Sequence, residues 1–440
     1  MNFPWLLIIL LTPIIGTALL FVPQIKNIFN FKQIAFYSSV ITLLFVVVVA
    51  LQFDVTSSAQ TQLDISYDWI PIFGISFHLG LTGISLVLTL LTAVLTPIVI
   101  IAAQHEGQKR TREFFMWILL TQASALAVFL ARDLFLFYVV FEAMLVPIFF
   151  LVGRFGGARR NAAALKFLLF GLAGGLVMLA ALIWLYFVAS AQLGRGTFSI
   201  AALSNELNLN TWTERWLFLG FFLAFALKAP MVPGHTWLPD TAEQATPGTS
   251  TMLIGILDKV GTYAMLAILL PIFPNASKEF APLIIGFAVF GIIYAALIAI
   301  AQKDMKRTFA YISISHFGFI VMGIFSFTSI GIIGSTVYMV AHGLSTAALF
   351  LTAGYLMRQK DSALISNFGG LSKSAPLLTG FFLVASLSSI ALPGLAGFVG
   401  EFMVLTGTYQ RSQLAAIIGD RKSTRLNSSH TDISRMPSSA

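Results

Sequence analysis

Apolar residues run along this chain in blocks of about 20, the length a helix needs to cross roughly 30 Å of bilayer hydrocarbon. Polar residues are confined to the short stretches between the blocks. The pattern predicts helices over 4–23, 33–51, 80–102, 114–131, 133–153, 163–189, 216–238, 249–273, 281–301, 308–327, 330–357 and 376–410, about twelve in all. Alternate connections differ in basic residues. One side carries 15 Lys and Arg, from Lys26 and Lys32 through Arg154, Arg159 and Arg160 to Lys373, and the other carries five, Arg132, Arg195, Arg215, Lys278 and Arg411. The positive-inside bias places the richer side in the cytoplasm and the N-terminus outside. The connection 52–79 agrees, with Asp54, Asp64 and Asp68 and no Lys or Arg. No basic residue precedes Lys26, so the first block reads as a retained helix and not as a signal peptide.

Composition sharpens this reading. Of 440 residues, 58% are apolar and 10% charged, against about 25% charged in soluble proteins. One soluble core stops growing at roughly 250–300 residues, so lipid is the solvent for most of the chain: an all-α polytopic membrane protein. The net charge of +8 follows from the topology and implies no nucleic-acid partner. The absence of cysteine excludes disulfides, cysteine-ligated iron–sulfur clusters and c-type haem attachment within the chain. The six histidines (78, 105, 235, 316, 342 and 430) never fall at the i, i+4 spacing of a helical metal pair, and neither GxxxxGK nor GxGxxG occurs. Residues 421–440, with six Ser and four basic residues, break the apolar pattern. They resemble translated adapter read-through and are set aside as a non-native tail; Gln413 to Gly419 reads as the opening of a further apolar helix continuing beyond 420.

Inside the apolar blocks stand ionisable residues. A charge at the bilayer centre costs about 2.5–3.5 kcal/mol on the gentlest scale, so each is a candidate functional group. Glu142 lies nine residues past Asp133, about 13 Å along a helix. By the same rise Lys228 is about 18 Å into its block, Lys259 about 15 Å past Thr249, and His316 and His342 about 12 and 18 Å into theirs; Glu401 is deep in the last block. Any one of these is as readily a satisfied core residue. Six together at similar depth suit a proton relay, because desolvation brings carboxyl and ammonium groups toward neutrality where protons exchange. Asp258 adjoins Lys259 but is about 100° round a regular helix, an imperfect partner. Arg132 and Asp133 read as an interfacial pair at a tight turn, and the glycines at 153, 156, 157, 171, 174 and 175 as sites of close helix packing.

Two blocks look interrupted. Lys228 is followed by Pro230 and by Pro233-Gly234-His235; Pro393-Gly394 and Gly397 precede Glu401. Proline frees a helix carbonyl, which lipid tolerates only where protein or water satisfies it. Broken helices in corresponding places point to a transport site built from inverted repeats. The expected organisation is N-terminal helices over 1–112, a first five-helix half-channel repeat over 113–273, and a second over 281–419, cut short in its thirteenth helix.

The segments DLFLFYVVFEAMLVPIFFLVG (133–153), KAPMVPGHTWLPDTAEQATPGTSTMLIGILDKVGTYA (228–264), YISISHFGF (311–319), VAHGLSTAALFLTAGYL (340–356) and LPGLAGFVGEF (392–402) resemble the antiporter-like subunits of respiratory complex I, in particular the M-type subunit family of bacterial NADH-quinone oxidoreductase. The resemblance spans essentially 1–419. It implies about fourteen helices, so roughly two beyond those present, and a relay in which Glu142 and Lys228 form the coupled pair of one half-channel. It further implies that Lys259 is the central relay residue, linked through His316 and His342 to Glu401, with His235 near the cytoplasmic proton intake. A Glu at 401 favours the M type over the related L and N chains, where Lys is expected. Two departures stand out: the usual Pro-Phe-His is Pro233-Gly234-His235, and the usual Asp-Ala-His is Asp240-Thr241-Ala242, so the intake route is expected to differ in detail.

The resemblance implies an energy-coupling proton channel of a bacterial inner-membrane NADH:quinone oxidoreductase, without redox chemistry of its own. NADH, FMN, Fe–S clusters and quinone are then expected in partner subunits, and L- and N-type chains beside this one. A subunit of a multi-subunit Mrp-type cation/proton antiporter shares the motifs and is the alternative. A non-transporting assembly scaffold would have little use for six deep ionisable groups.

Overall fold

A computed structural model describes residues 3–24 and 28–420; the tail 421–440 lies outside the described residues. The chain forms α1 (Trp5–Leu19), α2 (Phe31–Gln52), β1 (Gln62–Ile70), β2 (Ile75–Leu81), α3 (Gly83–Ala102), α4 (Thr111–Leu130), α5 (Leu134–Ala143), α6 (Leu145–Phe155), α7 (Arg160–Leu193), the short α8 (Ile200–Asn205) and α9 (Thr211–Lys228). There follow α10 (Trp237–Gln244), α11 (Pro247–Met252), α12 (Lys259–Ala264), α13 (Leu270–Ile272), α14 (Pro274–Ile300), α15 (Met305–Ile324), α16 (Ser329–Lys360), α17 (Leu371–Ser374), α18 (Pro376–Ser389) and α19 (Ala396–Arg411). A last helical stretch covers 413–420. Among the described residues, nine helical segments are long and apolar enough to cross a membrane, and α1 and α18 are shorter apolar helices. The molecule is a multi-pass, mainly helical membrane protein.

Two predicted blocks are interrupted where their prolines lead one to expect, and one connection resolves differently. The block 376–410 is two helices, α18 and α19, separated at 390–395, where Pro393 removes a helix donor and Gly394 takes a positive φ of 96°. The block 216–238 ends as a helix at Lys228 and resumes at Trp237, the interval holding Pro230 and Pro233. The connection 52–79, expected as plain loop, contains nearly all of an antiparallel hairpin whose second strand runs into the predicted block at 80. Its register pairs Ile65 with Leu79 and Tyr67 with Phe77. The turn closes through Gly74, whose φ of 64° suits glycine and whose missing side chain leaves room for the Gly196 carbonyl.

Arg132 and Asp133 do not pair with each other as expected; each has its own task. The Arg132 guanidinium donates to the Gly80 carbonyl and to the Thr82 and Ser85 hydroxyls. Asp133 caps α5, accepting from the amides of Phe135 and Leu136 and from the amide and hydroxyl of Ser76. Burial pushes its carboxyl above the ordinary aspartate value despite those bonds.

The chain divides into two compact units, one of residues 1–228 and 256–277, the other of 229–255 and 278 onward. In the first, α4 packs against α1, α3 and α6, and α7 lies along α6 and α9. In the second, α16 is central, packed on α15, α18 and most extensively α19. Glycines allow that last approach: a side chain at Gly400 would meet the Tyr338 backbone at 2.7 Å, and one at Gly407 would meet the Gly331 backbone.

Candidate functional site

Each unit encloses its own set of buried ionisable side chains. In the first, α5 carries Glu142 inward from the Asp133 cap. Pro147 has no amide for the Ala143 carbonyl, and the helix breaks at Met144, two residues after Glu142. One carboxylate oxygen, Oε1, is buried with no hydrogen-bond partner among the described residues. Space for it comes from α7: a methyl group at Gly175 would overlap the Glu142 carboxylate, while one at Gly171 would meet Leu145 at 2.7 Å. The close packing expected of these glycines is present, and at Gly175 the neighbour is the candidate relay acid itself.

Lys228 ends α9 and is 5% exposed. Its ammonium donates to the Phe141 carbonyl at 3.5 Å and lies over the Phe141 ring, 4.5 Å from the centroid. A desolvated cation–π contact of this kind contributes about 2 kcal/mol. No ion pair joins Lys228 to Glu142 among the described residues; Phe141, the residue before Glu142, stands next to both. Phe137, Phe141 and Phe225 pack edge to face or tilted around this position and keep it apolar.

Lys259 is fully buried and pairs directly with Asp258, Nζ to Oδ1 at 2.9 Å. This overturns the expectation of an imperfect partner. That expectation assumes regular α geometry, in which neighbours in sequence do not face each other. The segment is not regular: π-helical turns at Leu253–Leu257 and Met265–Leu269 flank the pair. The second has a plain cause in Pro271, which removes the amide that would close on Ala267. Such π turns recur at functional sites. By contrast, buried Glu214 has a structural task, accepting from the amides of Asn275 and Ala276 at the start of α14.

In the second unit His316 on α15, Tyr338 and His342 on α16 and Glu401 on α19 converge, each 6% exposed or less. Tyr338 hydrogen-bonds His316 Nδ1, and its hydroxyl donates to Glu401 Oε2 at 2.9 Å. The His316 and His342 rings lie 5.3 Å apart, and His342 Nε2 meets the Ser313 hydroxyl at 3.1 Å. His235 is in the same unit, buried in the 229–236 break against the rings of Tyr294 and Tyr311. Nearby, Arg307 at the start of α15 binds Asp240 and Glu243 at 2.8 and 2.7 Å.

The structure therefore brings Glu142 and Lys228 to one neighbourhood and His316, His342 and Glu401 to another. Lys259 and His316 belong to different units. Sequence reading missed Tyr338, the partnership of Asp258, and the role of Gly175 beside Glu142. Among the described residues no three His, Asp or Glu side chains converge as a metal site would require.

Gly175→Ala makes the first test of this arrangement. The overlapping atoms are the end of a flexible side chain, so the fold can accommodate the methyl group by moving the Glu142 carboxylate. The expected result is a complex that assembles at normal level and pumps protons severalfold more slowly, measured in inverted membrane vesicles. Unchanged pumping would mean that the carboxylate position is unimportant.

Comparison with known proteins agrees with the residues. The family model described as NADH:quinone oxidoreductase/Mrp antiporter, TM, matches residues 131–423. The NADH-quinone oxidoreductase subunit M of Mycobacterium tuberculosis is 43% identical over 404 residues, covering 84% of this chain and 73% of its own. Among solved structures, a chain of respiratory complex I from Thermus thermophilus superposes with a TM-score of 0.88 at 31% identity, over 97% of this chain and 87% of that one. A chain of the Mrp complex from Dietzia sp. matches with a TM-score of 0.83 at 22% identity, covering 98% of this chain and 80% of its own, a likeness of fold alone. By motif, by sequence along most of its length and by fold, this chain belongs to the NADH-quinone oxidoreductase subunit M family of antiporter-like membrane proteins.

Proposed function

We propose that this chain is a proton-translocating membrane-arm subunit of an NADH:quinone oxidoreductase, coupling quinone reduction elsewhere in the complex to proton movement through buried Glu, Lys and His side chains. The observation that carries this reading is the enclosure of ionisable groups in both units: Glu142, Lys228 and the Asp258–Lys259 pair in one, His316, His342 and Glu401 in the other. Burying ionisable groups costs several kcal/mol of desolvation each, and apolar residues can replace them where only stability matters. Glu142 and Lys228 act as the coupled pair of one half-channel, Lys259 as the central group, and His316, His342 and Glu401 as the route of the second, with His235 at the cytoplasmic intake. The half-channels correspond to the repeats 113–273 and 281–419. The redox cofactors belong to partner subunits, and L- and N-type antiporter-like chains are the neighbours. The chain resides in a bacterial inner membrane with its N-terminus outside.

Native gel electrophoresis of membranes, with in-gel NADH dehydrogenase staining and peptide mass spectrometry, tests the assignment. This chain is expected in a very large NADH-oxidising band. Its presence only in a smaller, NADH-inactive band would favour the Mrp-type antiporter.

A further inference from the structure

We propose that Tyr338 is a relay residue, its hydroxyl carrying the proton between His316 and Glu401. The inference rests on the reading of these two groups as part of the second half-channel. It adds Tyr338 to His316, His342 and Glu401 on that route, a residue type that is ordinarily core filling.

Three observations carry it. The phenol is 1% exposed and its ring lies edge-on to His316 and Phe319, so it has no path to bulk water of its own. Its single oxygen touches His316 Nδ1 on one side and Glu401 Oε2 on the other. The backbone around it is built for that approach, since Gly400, the residue before Glu401, presses on the Tyr338 Cα and would not admit a side chain.

The hydrogen-bond chain has two arrangements of equal connectivity. In one, protonated His316 donates from Nδ1 to the phenol oxygen, and the phenol donates to the Glu401 carboxylate. In the other, protonated Glu401 donates to the phenol, and the phenol donates to neutral His316. Conversion between them breaks the Nδ1–H and phenol O–H bonds and forms a new phenol O–H and a carboxyl O–H. One proton passes from imidazolium to carboxylate, both charges are neutralised, and Tyr338 ends as it began, a neutral phenol with its hydrogen now facing His316. No side-chain rotation is required. A phenol does this because it is at once donor and acceptor; serine or threonine would be too short to span the same gap from α16.

The test is Tyr338→Phe in the full complex, with Glu401→Gln alongside. Phe keeps the ring and leaves a gap of one oxygen atom, well below the roughly 30 Å³ a water occupies in the liquid. The expected result is an assembled complex whose NADH-driven pumping falls by on the order of 10²-fold, the low end for loss of a positioned proton-transfer group. Glu401→Gln should be equally impaired. Normal pumping in Tyr338→Phe beside a defective Glu401→Gln overturns the phenol relay and leaves the half-channel reading standing; normal pumping in both removes the reading itself. Should Tyr338→Phe fail to assemble, a fluorinated tyrosine introduced at 338 keeps shape and hydrogen bonds while making the phenol more acidic. A relay then shifts the pH profile of pumping, and an unshifted profile in the assembled complex overturns the proposal.

Discussion

Glu142→Gln is expected to leave the complex assembled and to lower its NADH-driven proton pumping by on the order of 10²-fold, the scale of losing a positioned proton-transfer group. The geometry separates these two effects. Glu142 forms no ion pair with Lys228, and its Oε1 has no hydrogen-bond partner among the described residues. A glutamine of the same volume therefore breaks no bond to that oxygen, and it fits the space left by Gly175. Lys228 keeps its own support in the carbonyl and ring of Phe141. What the amide lacks is a titratable proton. Pumping and coupled NADH oxidation in inverted vesicles, normalised to the complex on a native gel, decide the matter. A variant that pumps normally would show Glu142 to be a packing residue; one that fails to assemble would show the carboxylate to be structural.

How much of this was legible beforehand differs from group to group, for reasons that can be stated. The helices were readable because lipid imposes length and apolarity on each segment by itself, with no knowledge of its neighbours. The break after Lys228 was readable because Pro230 and Pro233 act on their own backbone. The hairpin of β1 and β2 was legible in principle, since LDISYDWI and ISFHLGL each place apolar residues at every second position as a strand does, but a reading by the length of apolar blocks passes over it. Tyr338 sits in the apolar run STVYMVAHG, where an aromatic reads as core. Its spacing of four from His342 puts both on one helix face, a signal that was present but had no meaning until α19 placed Glu401 opposite. Gly175 was read correctly as a close contact, yet that its neighbour is Glu142 depends on how α5 meets α7. The Asp258–Lys259 pair is hidden for a different reason: the angular step of an ideal helix sets the two side chains apart, and π turns on both sides invalidate that step.

That pair changes what a substitution at Lys259 can be expected to report. If Lys259 stood alone, replacing it would remove a relay group and little else. Because it balances Asp258 in a site where both side chains are 0% exposed, Lys259→Met leaves a buried carboxylate without its cation, and breaking a buried pair from one side costs about 3–5 kcal/mol. Lys259→Met is therefore expected to lower both the amount of assembled complex and the pumping per complex, two losses that a single variant cannot apportion. The double variant Asp258→Asn/Lys259→Met separates them. It removes both charges while keeping volume, and replacing a buried pair by neutral groups is often neutral for stability. The amount of assembled complex on a native gel should return toward the unmodified level, whereas pumping in vesicles should stay at the level of Lys259→Met. Recovery of assembly and pumping together would make Lys259 a purely structural counter-charge to Asp258 and would remove it from the relay. Recovery of assembly alone gives the pair a role beyond charge balance, because what is then still missing is the exchangeable protons of Asp258 and Lys259.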